Sequence, residues 1–301
     1  MILKDIKIFS QNVHKNNFII NIILKTQSSF NIIFIQKPSW FFIHAIPSLK
    51  NKKGKELIEV PNHPNWMIFS RNSSQINSSP RVITYINIRL SSLYFSLLKN
   101  IFNHRDISCV SFFNCSLVYF LINVYSDSSQ SALKYLKNTE VNIGNTLIMT
   151  GDFNIRDNIW NLNFPHHSIH SNILFEVTDS LHLELSRPTK QVLTRYSDNQ
   201  YDSNSVINLI FLRPESLEHN NYTIYPDWRL TSDHTPLTIN ISIFEKHIRT
   251  RKLMLAKNSK EEEHFLNESS EAIKEINIEN IQSKEVLELV IQLFASYTNR
   301  T

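Results

Sequence analysis

The sequence predicts an α/β sandwich built from mixed sheets. Three observations point there: apolar runs of strand length recur up to about Phe244, few helix-like stretches separate them, and 42% hydrophobic residues in a chain of 301 can fill a sizeable core. Many strands with few intervening helices favour stacked mixed sheets over a strictly alternating parallel sheet.

In chain order, Ile6-Lys7-Ile8-Phe9 opens a strand predicted to run to Val13, and Phe18 to Leu24 has apolar spacing compatible with a helix. Ile32-Ile33-Phe34-Ile35 reads as a buried strand. Further strands are predicted over Arg81 to Ile88, Cys109 to Phe113, Leu117 to Val124, Thr146 to Thr150, Val206 to Leu212 and Leu237 to Ile243. From Glu245 to Thr301 the alternation stops. That stretch carries an acidic cluster, Glu261-Glu262-Glu263, and apolar residues at helical separations, among them Phe265, Ile273 and Ile276, then Val286, Leu289, Val290, Leu293 and Phe294. The expected organisation is a domain over 1–244 and a helical tail or linker over 245–301.

A net charge of +4 and a pI near 8.9 suit a phosphate-bearing partner without identifying one. Cys109 and Cys115 share one apolar stretch, which is poor geometry for a bridge and reads as buried thiols in a reducing compartment. Neither a secretory apolar region nor a run near the roughly 20 apolar residues of a membrane span is visible, so an intracellular protein without membrane contact is expected. Only 3 glycines occur, far below the usual share of about 7%. With abundant Ile, Asn, Lys and Phe, that shortage suggests coding DNA drifted toward A and T.

Two short words carry the chemistry. Gly151-Asp152-Phe153-Asn154 follows the predicted strand ending at Thr150, where loops present functional groups at the top of a sheet. A carboxylate there can hold Mg²⁺ or orient a water, and the neighbouring amide can grip a phosphate oxygen. Alone the word also reads as a turn. Ser232-Asp233-His234 supplies an acid beside an imidazole that can act as base or stabilise developing negative charge. Neighbours on a strand face opposite ways, so Asp233 and His234 can share a site only from a loop, which Thr231 and Pro236 make plausible.

The order of words along nearly the whole chain resembles the endonuclease/exonuclease/phosphatase superfamily, and within it the endonuclease domain of fungal-type non-LTR retrotransposons. The words are Ser10-Gln11-Asn12-Val13, Ile32 to Gln36, His63-Pro64-Asn65-Trp66, Asn123 to Asp127, Gly151 to Asn154, Thr194-Arg195, Ser205-Val206-Ile207 and Ser232-Asp233-His234. The resemblance implies a four-layered α/β sandwich, Mg²⁺- or Mn²⁺-dependent hydrolysis of a DNA phosphodiester, a nuclear location for a working protein, and a tail leading toward a reverse transcriptase. It further implies that Asn12 helps arrange the metal, that Tyr125 donates its hydroxyl to the scissile phosphate, and that Asp152 activates the attacking water with help from Asn154. His234, held by Asp233, is implied to stabilise the transition state, with Asp233 also near the metal.

The departures alter that expectation. Where the family has Gln-Glu, with Glu as principal metal ligand, this chain reads Gln36-Lys37, and a family Asp is replaced by Asn208. Trp160-Asn161 stands for Trp-Asp, and His14 stands where some relatives carry Asp. Lys37 and Asn208 move the site by about three charge units toward positive, and at ~4 Å one unit pair is worth about 4 kcal/mol at an effective dielectric of 20. Metal binding is expected to be severely weakened. Glu to Lys and Asp to Asn are each one guanine-to-adenine change, so the chain reads as a degenerate element copy. Three functions follow: an impaired DNA endonuclease, a catalytically dead nucleic-acid-binding remnant, or a small-molecule phosphoesterase.

Overall fold

The computed structural model describes residues 5–39, 44–47, 55–58, 61–70, 79–90, 95–98, 102–114, 117–139, 143–161, 164–197, 203–217, 220 and 222–242. The chain divides into units Met1–Phe244 and Glu245–Thr301. The expected helical tail, Cys115 and Ile243 lie outside the described residues.

The first half begins with β1 (Asp5–Asn12), α1 (Asn17–Thr26) and β2 (Ile32–Gln36), followed by β3 (His44–Pro47), β4 (Lys55–Ile58), β5 (Trp66–Phe69) and β6 (Val82–Asn87). Next come β7 (Phe95–Leu97), β8 (Ile107–Asn114), β9 (Leu117–Tyr125), α2 (Ser131–Asn138) and β10 (Thr146–Asp152). The order closes with α3 (Ile169–Ser180), β11 (Glu184–Leu185), β12 (Asn208–Leu212), α4 (Pro214–Leu217), β13 (Thr223–Ile224) and β14 (Leu237–Ser242). Two six-stranded sheets result, in the orders β13-β14-β1-β2-β6-β5 and β11-β12-β10-β9-β8-β7, while β3 and β4 form a separate hairpin pairing.

Each large sheet holds one parallel pair at its centre, β1 with β2 and β9 with β10, among antiparallel neighbours. Parallel neighbours require a crossover. α1 and α2 supply those crossovers, so each sheet is seeded by a βαβ unit whose strands end at the same edge. α1 starts where Asn16 accepts hydrogen bonds from the Phe18 and Ile19 amides. It buries Ile19, Ile20, Ile23 and Leu24 against its sheet and leaves Phe18 outside.

Four layers follow from the apolar clusters. Ile6, Ile8, Ile32 and Phe34 of one sheet meet Leu121, Ile148, Ile210 and Leu212 of the other between the sheets. Phe9, Ile33 and Ile35 point the opposite way, toward α1. Ile122, Val124, Met149 and Phe211 pack on α2 and α3 through Leu133, Leu174 and Val177. Strand alternation accounts for this split.

The strand segments read from the sequence are present, with shifted limits. The run predicted from Val206 starts as a strand only at Asn208. Strands β3, β4, β5, β7, β11 and β13 went unpredicted, being four residues or fewer and too short to establish alternation. Among the described residues no helix is long and apolar enough to cross a membrane.

Candidate active site

The inward faces of the sheets turn from apolar to polar toward one edge. Along β1 the sequence of inward residues is Ile6, Ile8, Ser10, Asn12; along β10 it is Ile148, Thr150, Asp152; along β9, Leu121, Asn123, Tyr125. Pairing registers set Tyr125 beside Asp152 and Asp152 beside Asn208, while Asn12 pairs with Gln36 across the other sheet. Asn12, Gln36, Tyr125 and Asp152 thus reach one edge because the strands of both βαβ units end there, the usual place for ligands in α/β sheets, and Asn208 joins them because antiparallel β12 starts at that edge.

Buried amides join the sheets behind this edge. Gln36 Nε2 donates to Asn123 Oδ1 at 2.7 Å and to Ser10 Oγ at 3.1 Å, and Asn123 Nδ2 donates to the Ile35 and Ile83 carbonyls. At the edge, Asn12 Nδ2 donates to Asp152 Oδ2 at 2.7 Å and lies 3.3 Å from His234 Nε2. The Asn12 amide nitrogen can only donate, so Nε2 accepts and the proton sits on Nδ1, which donates to Asn208 Oδ1 at 3.1 Å. The buried imidazole is therefore neutral and held by two amides. Burial lowers its pKa, with Asp152 and Asp233 opposing and Arg195 and Lys37 reinforcing the effect.

Asp233 and His234 do leave a loop ahead of β14 and converge, with Asp233 Oδ1 at 3.7 Å from His234 Nε2. The main partners of Asp233 lie elsewhere: His14 Nδ1 at 2.8 Å and Arg195 Nε at 3.4 Å. Burial works to raise the Asp233 pKa, but its neighbours His234, His14, which hydrogen-bonds to it, and Arg195 bring it below the ordinary carboxylate value. Asn154 sits at φ 51°, a conformation asparagine tolerates, with its backbone N–H on Asp152 Oδ1 at 3.1 Å and its amide on the Ser126 carbonyl at 2.7 Å.

Gly151 makes the close approach of β10 to β9 possible. A Cβ there would lie 1.8 Å from the Val124 carbonyl oxygen, so no other residue fits this backbone (φ 154°) without movement.

Lys37 follows β2 at φ 52°, with its N–H bonded to the Arg81 carbonyl and its own carbonyl accepting from Lys15. Its ammonium lies 5.8 Å from the Tyr125 ring centre. Burial lowers its pKa, while Asp152 and Asp233 act to raise it. Tyr125 is pushed up to about 12, first by burial and then by Asp152. The Arg81 guanidinium also stands over this ring, 4.7 Å from its centre, and is anchored by Asp106 and Asp127. Arg195 belongs to one of the words that carry the resemblance but has no role assigned from it, and Arg81 has none; their partners are 38 and 25 to 46 residues away in the chain.

A divalent cation does not fit these donors. The Asn12 side-chain oxygen accepts from the His14 N–H at 2.9 Å, and the two Asp233 oxygens are engaged by the His14 ring and the Arg195 guanidinium. The Lys37 amine lies within the influence of Asp152 and Asp233, and Asn208 commits its oxygen to His234. Among the described residues no group of three or more His, Cys, Asp or Glu could hold a metal ion.

Residues 119–238 match the family model described as endonuclease-reverse transcriptase. No curated protein matches significantly. Among solved structures, the endonuclease domain of TRAS1, a telomere-specific non-LTR retrotransposon, is 15% identical, with 79% of this chain and 99% of that one covered and a TM-score of 0.55. An AP endonuclease from Leishmania major is 10% identical over 80% of this chain and 89% of that one, with a TM-score of 0.57. An AP endonuclease from Archaeoglobus fulgidus is 15% identical over 80% and 99%, with a TM-score of 0.50. At these identities the structural likeness speaks to the fold, and the family match covers β9 through the start of β14, including Asp152 and His234. Residues 119–238 are thus similar to an endonuclease-reverse transcriptase family, and the described fold is shared with these endonuclease structures.

Proposed function

We propose that this domain is a retrotransposon-type DNA endonuclease whose metal-assisted phosphodiester hydrolysis is impaired by Lys37 and Asn208, and which still binds the phosphodiester. Endonucleases of the superfamily generally use divalent metals. The observation that carries the reading is the Asn12–Asp152–His234 cluster: its hydrogen bonds are intact at 2.7 and 3.3 Å, while the ammonium of Lys37 faces Asp152 and Asp233. An ammonium there can attract a phosphate oxygen but cannot activate water as a bound metal does. The reading extends to a nuclear location and to a reverse transcriptase downstream in the intact element, the second of which the description of the matched family supports.

Nicking of supercoiled DNA in Mg²⁺ and Mn²⁺ tests it, with the unaltered chain beside the Lys37→Glu, Asn208→Asp double variant. The unaltered chain is expected to bind DNA in EDTA without nicking, and the double variant to gain metal-dependent nicking. Efficient nicking by the unaltered chain would overturn the impairment, and turnover of soluble phosphate esters in place of DNA would overturn the substrate. The degenerate origin is tested in coding DNA, where an excess of guanine-to-adenine changes against intact copies is expected and ordinary third-position composition would sink it.

A further inference from the structure

Beside the His234 loop lies a second feature that the cluster of amides and carboxylates does not use. The guanidinium of Arg229 stacks on the Tyr196 ring at 4.9 Å, and Tyr225 and Trp228 stack face to face at 4.0 Å with 8° between their planes. A groove of about 370 Å³ opens between Tyr196, Pro226, Asp227, Arg229 and Leu230. Trp228 and Leu230 are 38% and 45% exposed, so flat apolar surface remains open to solvent here.

The backbone ties this groove to the site. Tyr196 N–H donates to the Asp233 carbonyl at 2.8 Å, and Gln11 Nε2 donates both to the Arg229 carbonyl at 3.3 Å and to the His234 carbonyl at 3.2 Å. A 3₁₀ turn over Pro226–Trp228, with proline at its start, and the Ser232 N–H bonded to the Arg229 carbonyl at 3.0 Å fix the loop between them. The groove and the imidazole therefore keep one relative position.

We propose that the Tyr196–Arg229 groove is a nucleobase subsite, taking one unpaired base of a DNA strand whose adjoining phosphate lies at the His234 centre. The inference rests on the function proposed above. Aromatic faces and guanidinium planes are what unpaired bases stack on, whatever their identity. Asp227 argues against a phosphate in the same groove: its carboxylate repels an anion, yet it can accept a hydrogen bond from the amino or imino edge of a base. The cations for the phosphate, Lys37 and Arg195, lie instead toward Asp233. Base and phosphate thus have separate, suitably signed places.

The test is binding of the full chain, in EDTA at fixed salt, to labelled oligothymidylate and to a strand of equal length lacking its bases. Tyr196→Ala and Arg229→Ala are each expected to weaken binding to the base-bearing strand by about 5-fold or more, the low end for one lost stack. Binding to the base-free strand is expected to stay unchanged, and Tyr196→Phe to behave as the unaltered chain, with unfolding temperatures confirming that each variant folds. Equal losses on both strands, or no loss on either, would overturn the subsite. If the unaltered chain binds both strands equally while nicking follows the proposal above, the subsite alone fails; if it binds neither, both readings fail.

Discussion

The Nδ1 of His234 is 3.1 Å from the side-chain oxygen of Asn208, and this neutral amide is the ring's partner on that side. An amide orients an imidazole without favouring its charged form, whereas a carboxylate does both. Asn208→Asp is expected to raise the His234 pKa, read by NMR titration of the ring protons. The sign for stability follows. The folded pKa is below the unfolded value of 6.5, so the unfolded chain binds more protons in that window and stability falls as pH drops below about 6.5. In Asn208→Asp that acid sensitivity is expected to shrink or reverse in urea unfolding followed from pH 7 to 5.

Gly151 gives the second prediction. With the Val124 oxygen 1.8 Å from where its Cβ would sit, Gly151→Ala forces β10 away from β9. A loss of about 3 kcal/mol or more is expected, measured by chemical denaturation. A stable Ala variant with an unchanged midpoint would show that the strands are less tightly placed.

The Arg81 cluster gives the third. Asp106 is fully buried and receives two hydrogen bonds from the guanidinium, which also reaches Asp127 at 2.8 Å. Burial opposes the charge on Arg81, yet these carboxylates raise its pKa above the ordinary value. Arg81→Met strips the buried Asp106 of its two guanidinium hydrogen bonds and leaves it only His104 and Arg105 at 3.7 Å, so a loss of about 3 kcal/mol is expected, the low end for a broken buried pair. Adding Asp106→Asn to that variant is expected to recover part of the loss, and a double variant no more stable than the single one would count against the pairing.

Lys37 gives the fourth. As a phosphate contact it contributes to affinity through counterion release, so Lys37→Met is expected to weaken DNA binding in EDTA on all sequences alike. The slope of log affinity against log salt should fall by about 1, measured by anisotropy across a salt series. An unchanged slope would place Lys37 outside the path of the strand.

The legibility of the chain divides along physical lines. β1, β2, β10 and β14 were readable because buried strands of five to eight residues announce themselves by apolar content. β5 escaped, since only Trp66 of its four residues is buried and its place at the sheet edge comes from pairing with β6. In the site, Asp152 and His234 stood out through their words. What those words could not disclose is how each polar atom is spent: the Asn12 oxygen on His14, and the carboxylate of Asp233 on His14 and Arg195. The first is a local turn of an asparagine side chain onto the N–H two residues on, but the second depends on a contact 219 residues apart, His14 with Asp233, which no local pattern encodes.

The inward faces of the two sheets grade from isoleucine and phenylalanine to amides and carboxylates, which separates what holds this domain together from the edge that is open to chemistry. Substitutions at the polar margin leave the cohesive centre untouched, so the edge can change without loss of the architecture. The same separation makes the scaffold a convenient starting point for installing a different reaction at that edge.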